Sequence, residues 1–145
     1  MLSNTCKYAI RAAVYLTLQA NEKTKIGIKR ISEDLGIPAP FLSKILQLLA
    51  KHKLFSSTKG PHGGFGLGQD PSTISLYDII LIIDGDDLFK KCLISLRDCS
   101  NEDKFCTIHH KYESTRQELI GLFKAQSIKD LANEMEKTDN QKFVI

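Results

Sequence analysis

No window of the chain reaches about eighteen consecutive uncharged apolar residues, which argues against a membrane-spanning helix. No long biased stretch and no internal repeat is present, and at 145 residues the chain is too short for a barrel enzyme or a two-lobed dinucleotide-binding dehydrogenase. Nothing pairs a nucleophile or two carboxylates with an arguable pocket, so an enzyme is not expected. The glycine-rich run Gly60-Pro61-His62-Gly63-Gly64 lacks the Gly-Lys-Ser/Thr ending of a phosphate loop and opens no helix. Acidic residues are scarce in the first half. Residues 1–68 hold three (Glu22, Glu33, Asp34) against ten Lys and Arg, a net of +7, while residues 69–145 carry a net of −4. With 42% apolar and 26% charged residues the chain can bury a real core. A basic half joined to an acidic remainder is the charge footprint of a nucleic-acid-binding unit attached to something else, and on charge alone a lysine-rich solvated surface fits equally.

Lys7 and Arg11 ahead of residues 12–20 loosely imitate a secretion leader. However, Tyr8, Ala9, Ala12, Ala13 and Leu16 fall at helical spacing and Thr17 and Gln19 interrupt the run. The expectation is a first helix, capped by Ser3, Asn4 or Thr5 and ending near residue 19, in a cytoplasmic protein. A second helix fits residues 28–35, with Gly36 placed to stop it, and a third runs from Pro40 to about residue 51 or 52. In that third helix Phe41, Leu42, Ile45, Leu46, Leu48 and Leu49 form one wide apolar face. Ser43, Lys44, Gln47 and Lys51 form a polar stripe opposite. Two short helices joined by a glycine-containing turn, the second with a basic and amide-bearing outer face, describe a helix-turn-helix whose stripe would enter the major groove.

Residues 54–58 and 65–67 then read as two strands around a glycine-rich turn, which makes the unit a winged helix with Lys59 and His62 on or beside the wing. Gly63 and Gly64 are expected to let the wing turn. Ser75 and Asp78 form a capping box that opens a fourth helix over residues 76–83, with Leu76, Ile79, Ile80 and Ile83 as core. From residue 88 to 111 the periodicity breaks down. A long amphipathic helix over residues 112–126 follows, with Thr115, Leu119, Ile120, Leu122 and Phe123 near one side. Ser127 and Asp130 recap a short helix to residue 135, and the polar tail is expected to be loose. The fold expected is mainly α with a small β-hairpin wing. It divides into a winged helix-turn-helix domain (1–87), a cysteine-containing loop (88–111), a long helix with a short terminal one (112–135) and a tail (136–145).

Cys92, Cys99 and Cys106 lie seven residues apart, and His109 follows Cys106 by three, with His110 beside it. In a cytoplasmic chain such a cluster points to metal or redox chemistry rather than a disulfide framework. Lys90, Lys91, Arg97, Lys104 and Lys111 would lower thiol pKa and offset thiolate charge. Three thiolates and an imidazole suit an iron-sulfur cluster or a tetrahedral zinc; a thiol redox switch and incidental core cysteines also fit the spacing. Cys6, alone beside apolar positions, reads as a small core residue.

The residues together resemble the Rrf-two family of bacterial winged-helix transcription regulators. The likeness spans nearly the whole chain. It rests on Leu2-Ser3, on Lys7-Tyr8-Ala9-Ile10-Arg11-Ala12, on Ile31-Ser32-Glu33 with Gly36-Ile37 and Phe41-Leu42, and above all on the wing from Lys59 through Gly66-Leu67. It continues in Ile74-Ser75-Leu76-Tyr77-Asp78-Ile79-Ile80 with Asp84-Gly85. The resemblance implies a homodimer held by the long helix, presenting two winged helices to a pseudo-palindromic double-stranded DNA operator. The Cys/His pattern is similar to that of the cluster-binding members. It implies an iron-sulfur cluster, 2Fe-2S more than 4Fe-4S, on Cys92, Cys99, Cys106 and His109. DNA contacts would fall to Ser43, Lys44, Gln47, Lys51, Lys59, His62, Gly63 and Gly64. Such a regulator would sense redox state, iron or nitric oxide through ordering or release of the loop. The alternative is a winged-helix regulator without a cluster, using its cysteines as a thiol switch or a zinc site.

This chain departs from the pattern at several positions. Its cysteine gaps are six residues where relatives have about five, and Lys7 stands where nitric-oxide-sensing relatives place a ligating Asp. Ser43 and Lys44 occupy outer positions that a cluster-binding relative fills with Glu and Gln, and Lys59 replaces an Arg, whose bidentate fork Lys does not reproduce.

Overall fold

The computed structural model describes residues 1–20, 24–94, 96 and 108–138. Helix α1 (Asn4–Gln19) is capped by Ser3, whose hydroxyl accepts from the Cys6 N–H at 3.0 Å. Its face Ala9, Ala12, Ala13 and Leu16 is buried to completion, small residues that let other helices approach closely. Helix α2 (Ile28–Leu35) ends at Gly36 with φ 65°, the left-handed cap that glycine adopts without strain. Helix α3 (Ala39–Lys51) carries Pro40 in its first turn and buries Leu42, Ile45, Leu46 and Leu49. Phe41 and Leu48, expected on that face, lie at its margin with 37% of each exposed; Phe41 instead meets the Tyr8 ring edge-on at 5.8 Å.

Strands β1 (Phe55–Thr58) and β2 (Gly64–Leu67) pair antiparallel, Phe55 opposite Leu67 and Thr58 opposite Gly64. Ile26 adds a single bridge to the far side of β2, exchanging both backbone hydrogen bonds with Phe65 at 2.9 Å. The hairpin is thereby locked to the segment that leads into α2.

Helix α4 (Leu76–Ile83) opens on the expected capping box, with Ser75 and Asp78 exchanging side-chain and backbone bonds. Ser127 and Asp130 repeat the device at the start of α7 (Ile128–Thr138). The two caps sit side by side: Leu76 N–H donates to the Gln126 carbonyl at 3.0 Å and Ile128 N–H to the Ile74 carbonyl at 2.9 Å. Helix α7 packs on α1, and α4 packs on α1, α3 and α6. At the other end of α4, Asp84 accepts from the Ser3 backbone N–H at 2.8 Å and from the Ser3 hydroxyl, tying the start of α1 to the end of α4.

Three further features differ from the sequence expectation. A four-residue helix, α5 (Asp87–Lys90), lies in the stretch read as aperiodic; its Phe89 is buried between Tyr77 (4.9 Å) and Phe123 (6.2 Å). Helix α6 (His109–Ala125) starts three residues earlier than expected, so His109 belongs to the helix and not to the loop. Helix α7 continues to Thr138, beyond residue 135. No helix among the described residues is long and apolar enough to cross a membrane.

Candidate nucleic-acid interface and cysteine loop

The outer face of α3 is built as its periodicity requires. Lys44, Gln47 and Lys51 are exposed and Ser43 half-buried, and the Gln47 amide donates to the Ser43 hydroxyl at 3.2 Å. This hydrogen bond orients two polar side chains on the outer face, and Lys44 and Lys51 stand exposed on the same face. Lys59 and His62 are exposed at the wing tip, where the Gly63 N–H closes a turn onto the Gly60 carbonyl at 2.9 Å.

The two wing glycines permit the turn by close approach and not by a positive φ. Gly60 has the positive φ, 105°. Gly63 and Gly64 are required by close approach: a Cβ would stand 2.1 Å from the Thr58 carbonyl oxygen at Gly63 and 2.4 Å from the Ile26 carbonyl oxygen at Gly64. Gly64 is buried, so its part in DNA binding would be to seat the wing.

Not every basic residue of the first half is available to a polyanion. The half-buried Arg11 donates to the Leu35 carbonyl at 3.3 Å, joining α1 to the end of α2. Arg30 pairs with Asp34 at 3.8 Å, and the same carboxylate accepts from the Tyr15 hydroxyl, whose pKa is pushed up to about 12 by burial and by Asp34. Lys25, which sequence reading passed over, donates to the Thr58 hydroxyl at the end of β1 and brings a cation to the turn end of the hairpin.

Cys92 is half-buried just after α5, and His109 is buried at the start of α6 with 4% exposed. Cys99 and Cys106, with Arg97 and Lys104, lie outside the described residues. Among the described residues no group of three His, Cys, Asp or Glu side chains could hold a metal ion. Lys90 and Lys91, expected to bias the thiols, pair with Asp86 and Asp87 one turn earlier. Asp86 is held below the usual carboxylate range, chiefly by its hydrogen bond to Lys90. The cation that sequence reading missed is Arg116, 3% exposed on α6, which donates to the Lys91 carbonyl at 3.1 Å. Cys6 is buried in α1 and its thiol is pushed up to about 12, first by burial and then by Asp84, so it is a core residue and no thiolate ligand.

The chemistry of the donor set fits a thiolate-bound metal group. Cys92, just after α5, and His109, at the start of α6, stand at the two ends of the loop, and Cys99 and Cys106 between them in sequence would supply two further sulfurs.

Two short helices, an outward polar stripe and a hairpin wing define a winged-helix DNA-binding protein, here with a cysteine loop leading into a long helix. The sequence profile described as Rrf2, iron-dependent transcriptional regulator, matches residues 2–134. The chain belongs to this Rrf2 (Rrf-two) family of transcriptional regulators. It is similar to an Aquifex aeolicus protein named as an HTH-type transcriptional regulator, at 36% identity over 94% of each chain. It is also similar to the transcriptional regulator IscR of Photorhabdus laumondii, at 28% identity over 95% of this chain and 82% of that one. Among solved structures, the same fold occurs in CymR, the global cysteine regulator of B. subtilis, with TM-score 0.75 and 19% identity over 92% of this chain and 97% of that one. It occurs again in T. potens IscR, with TM-score 0.72 and 21% identity over 99% and 94%. These relatives are regulators rather than enzymes.

Proposed function

We propose that the protein is a homodimeric regulator whose affinity for a pseudo-palindromic operator is set by an iron-sulfur cluster, of the 2Fe-2S type, held by Cys92, Cys99, Cys106 and His109. The observation that carries this reading is the buried His109 at the first turn of α6, with the peptide entering Cys92 hydrogen-bonded to the same helix. When bound, the cluster supplies iron chemistry responsive to oxidant, nitric oxide or iron supply. The chain supplies the route from loop to DNA: α6 packs on α4, and α4 packs on the recognition helix α3. A tenfold change in operator affinity requires about 1.4 kcal/mol, within reach of a modest reorientation through such packing.

The second copy is expected on the outer face of α6. Ile120 and Phe123 turn inward to the core, whereas Leu122 is 58% exposed and Thr115 shares its side of the helix. Leu122→Glu should place a charge in that contact and halve the mass measured by sedimentation equilibrium, leaving the helical circular dichroism unchanged; an unaltered mass rejects this dimer face.

The deciding experiment is anaerobic purification with assays of iron, acid-labile sulfide and zinc, followed by selection of bound sequences from a random duplex pool. Equal iron and sulfide in a coloured protein, both lost in Cys99→Ala, are expected. A colourless protein holding zinc, or no metal after reconstitution, leaves the DNA-binding regulator and replaces the cluster by a zinc site or a thiol switch.

A further inference from the structure

Helix α6 buries a charge where an amphipathic helix ordinarily buries carbon. Arg116 is as inaccessible as the leucines of the core, at 3% exposed, and a guanidinium cannot lose its proton to escape that environment. Buried cations persist where they are paired and hydrogen-bonded. Here the guanidinium donates to the Glu113 carboxylate at 2.8 Å and to the Lys91 carbonyl at 3.1 Å, and its carbon stands 4.9 Å from the centre of the Tyr112 ring. The other oxygen of Glu113 accepts from the Gln117 amide at 2.7 Å, so the carboxylate is itself oriented.

Glu113 and Tyr112 lie within one turn of Arg116 and would meet it in the helix alone. The Lys91 carbonyl is different. It belongs to the C-cap of α5, twenty-five residues earlier, and to the residue that immediately precedes Cys92. Arg116 also follows His109 by seven residues, two helical turns, and therefore shares its face of α6. One buried side chain thus bonds the backbone entering the first cysteine and stands on the helix face that carries the histidine.

We propose that Arg116 is a positioning residue of the cysteine loop: its guanidinium clamps the peptide leading into Cys92 onto the helix that bears His109, setting their relative placement before any metal binds. The proposal rests on the reading of these two residues as ligands, but the clamp is a property of the metal-free chain. A side chain serving only to fill space could be Met, which matches much of the volume and none of the hydrogen bonding. Lys would keep the charge but lose the planar fork that reaches two acceptors in different directions.

The test compares wild type, Arg116→Met and Arg116→Lys as full-length, metal-free protein. Iodoacetamide labelling is resolved to individual cysteines by peptide mass spectrometry and followed across pH, so that accessibility is separated from thiol ionisation. Arg116→Met should raise the alkylation rate of Cys92, at equal thiolate fraction, by about threefold or more, with Cys6 labelling and the helical signal unchanged. Arg116→Lys should restore the wild-type rate only in part. Equal Cys92 rates in folded wild type and Arg116→Met overturn the proposal. If Arg116→Met unfolds, seen as faster Cys6 labelling as well, Glu113→Gln keeps the cation and loosens only its orientation, and the same criterion applies. After anaerobic reconstitution with iron and sulfide, Arg116→Met should retain less of both through desalting than wild type. A wild type that takes up no metal removes the ligand reading while the alkylation result still decides the clamp.

Discussion

Gly64→Ala should destabilise the protein by about 2–3 kcal/mol, a large effect for one added methyl group. The cost does not come from the residue's own backbone, since Gly64 has no positive φ and Ala could adopt its conformation. It comes from the neighbour. The new Cβ would stand 2.4 Å from the carbonyl oxygen and 2.5 Å from the carbonyl carbon of Ile26, and backbone atoms cannot swing aside as a side chain does. Relief requires the paired Ile26–Phe65 bridge to open, which forfeits two 2.9 Å hydrogen bonds and partly uncovers Phe65, now 7% exposed. Urea unfolding should show a lower midpoint with an unchanged slope. Gly27→Ala is the steric control one peptide away: nothing lies within 4 Å of its Cβ, and only the weaker N-cap preference of Ala at the start of α2, about 1 kcal/mol or less, is expected. Equal stability of wild type and Gly64→Ala would mean that the wing is not seated on the segment before α2.

The wing was legible in the sequence as a hairpin because glycine, proline and alternating strand residues mark turns locally. What Gly63 and Gly64 do was not legible, because their neighbours at Thr58 and Ile26 are set by strand pairing. The same division runs through the chain. Helix α2 carries its end in Gly36 and helix α4 its start in the Ser75–Asp78 box, and each boundary falls where those residues place it. Helix α5 spans four residues, about one turn, too short for any periodic signal; it exists because Phe89 finds Tyr77 and Phe123. The candidate site divides likewise. The Cys/His spacing and the polar stripe of α3 are local patterns. Arg116 reads in sequence as one more surface cation on a polar helix, and only the arrival of the α5 C-cap beneath it makes it a buried clamp.

Helix α3 allows stability and DNA binding to be separated residue by residue, because its two faces answer to different partners. Leu46 is fully buried on the inner face, where α3 packs against α1 and α4. Leu46→Ala should cost about 2–5 kcal/mol, the transfer free energy of the lost methyl groups plus the cavity left behind. For a chain of this size that corresponds to a fall in melting temperature of roughly 6–15 °C. Lys44, two residues earlier, is exposed on the outer face, and Lys44→Ala should leave stability within about 0.5 kcal/mol of wild type. Its effect belongs to the complex. If Lys44 neutralises one phosphate, its removal weakens binding to every duplex sequence to a similar degree and reduces the slope of log affinity against log salt by about one. Gln47→Ala removes a group suited to base edges and should act unevenly, weakening the selected sequence more than a random duplex and leaving the salt slope unchanged. Melting temperature and salt-titrated fluorescence anisotropy on the three variants check this pattern. A Lys44→Ala protein with unaltered affinity and slope would show that α3 does not enter the groove, and the recognition surface would then have to be sought on the exposed Lys29 side of α2 and the wing.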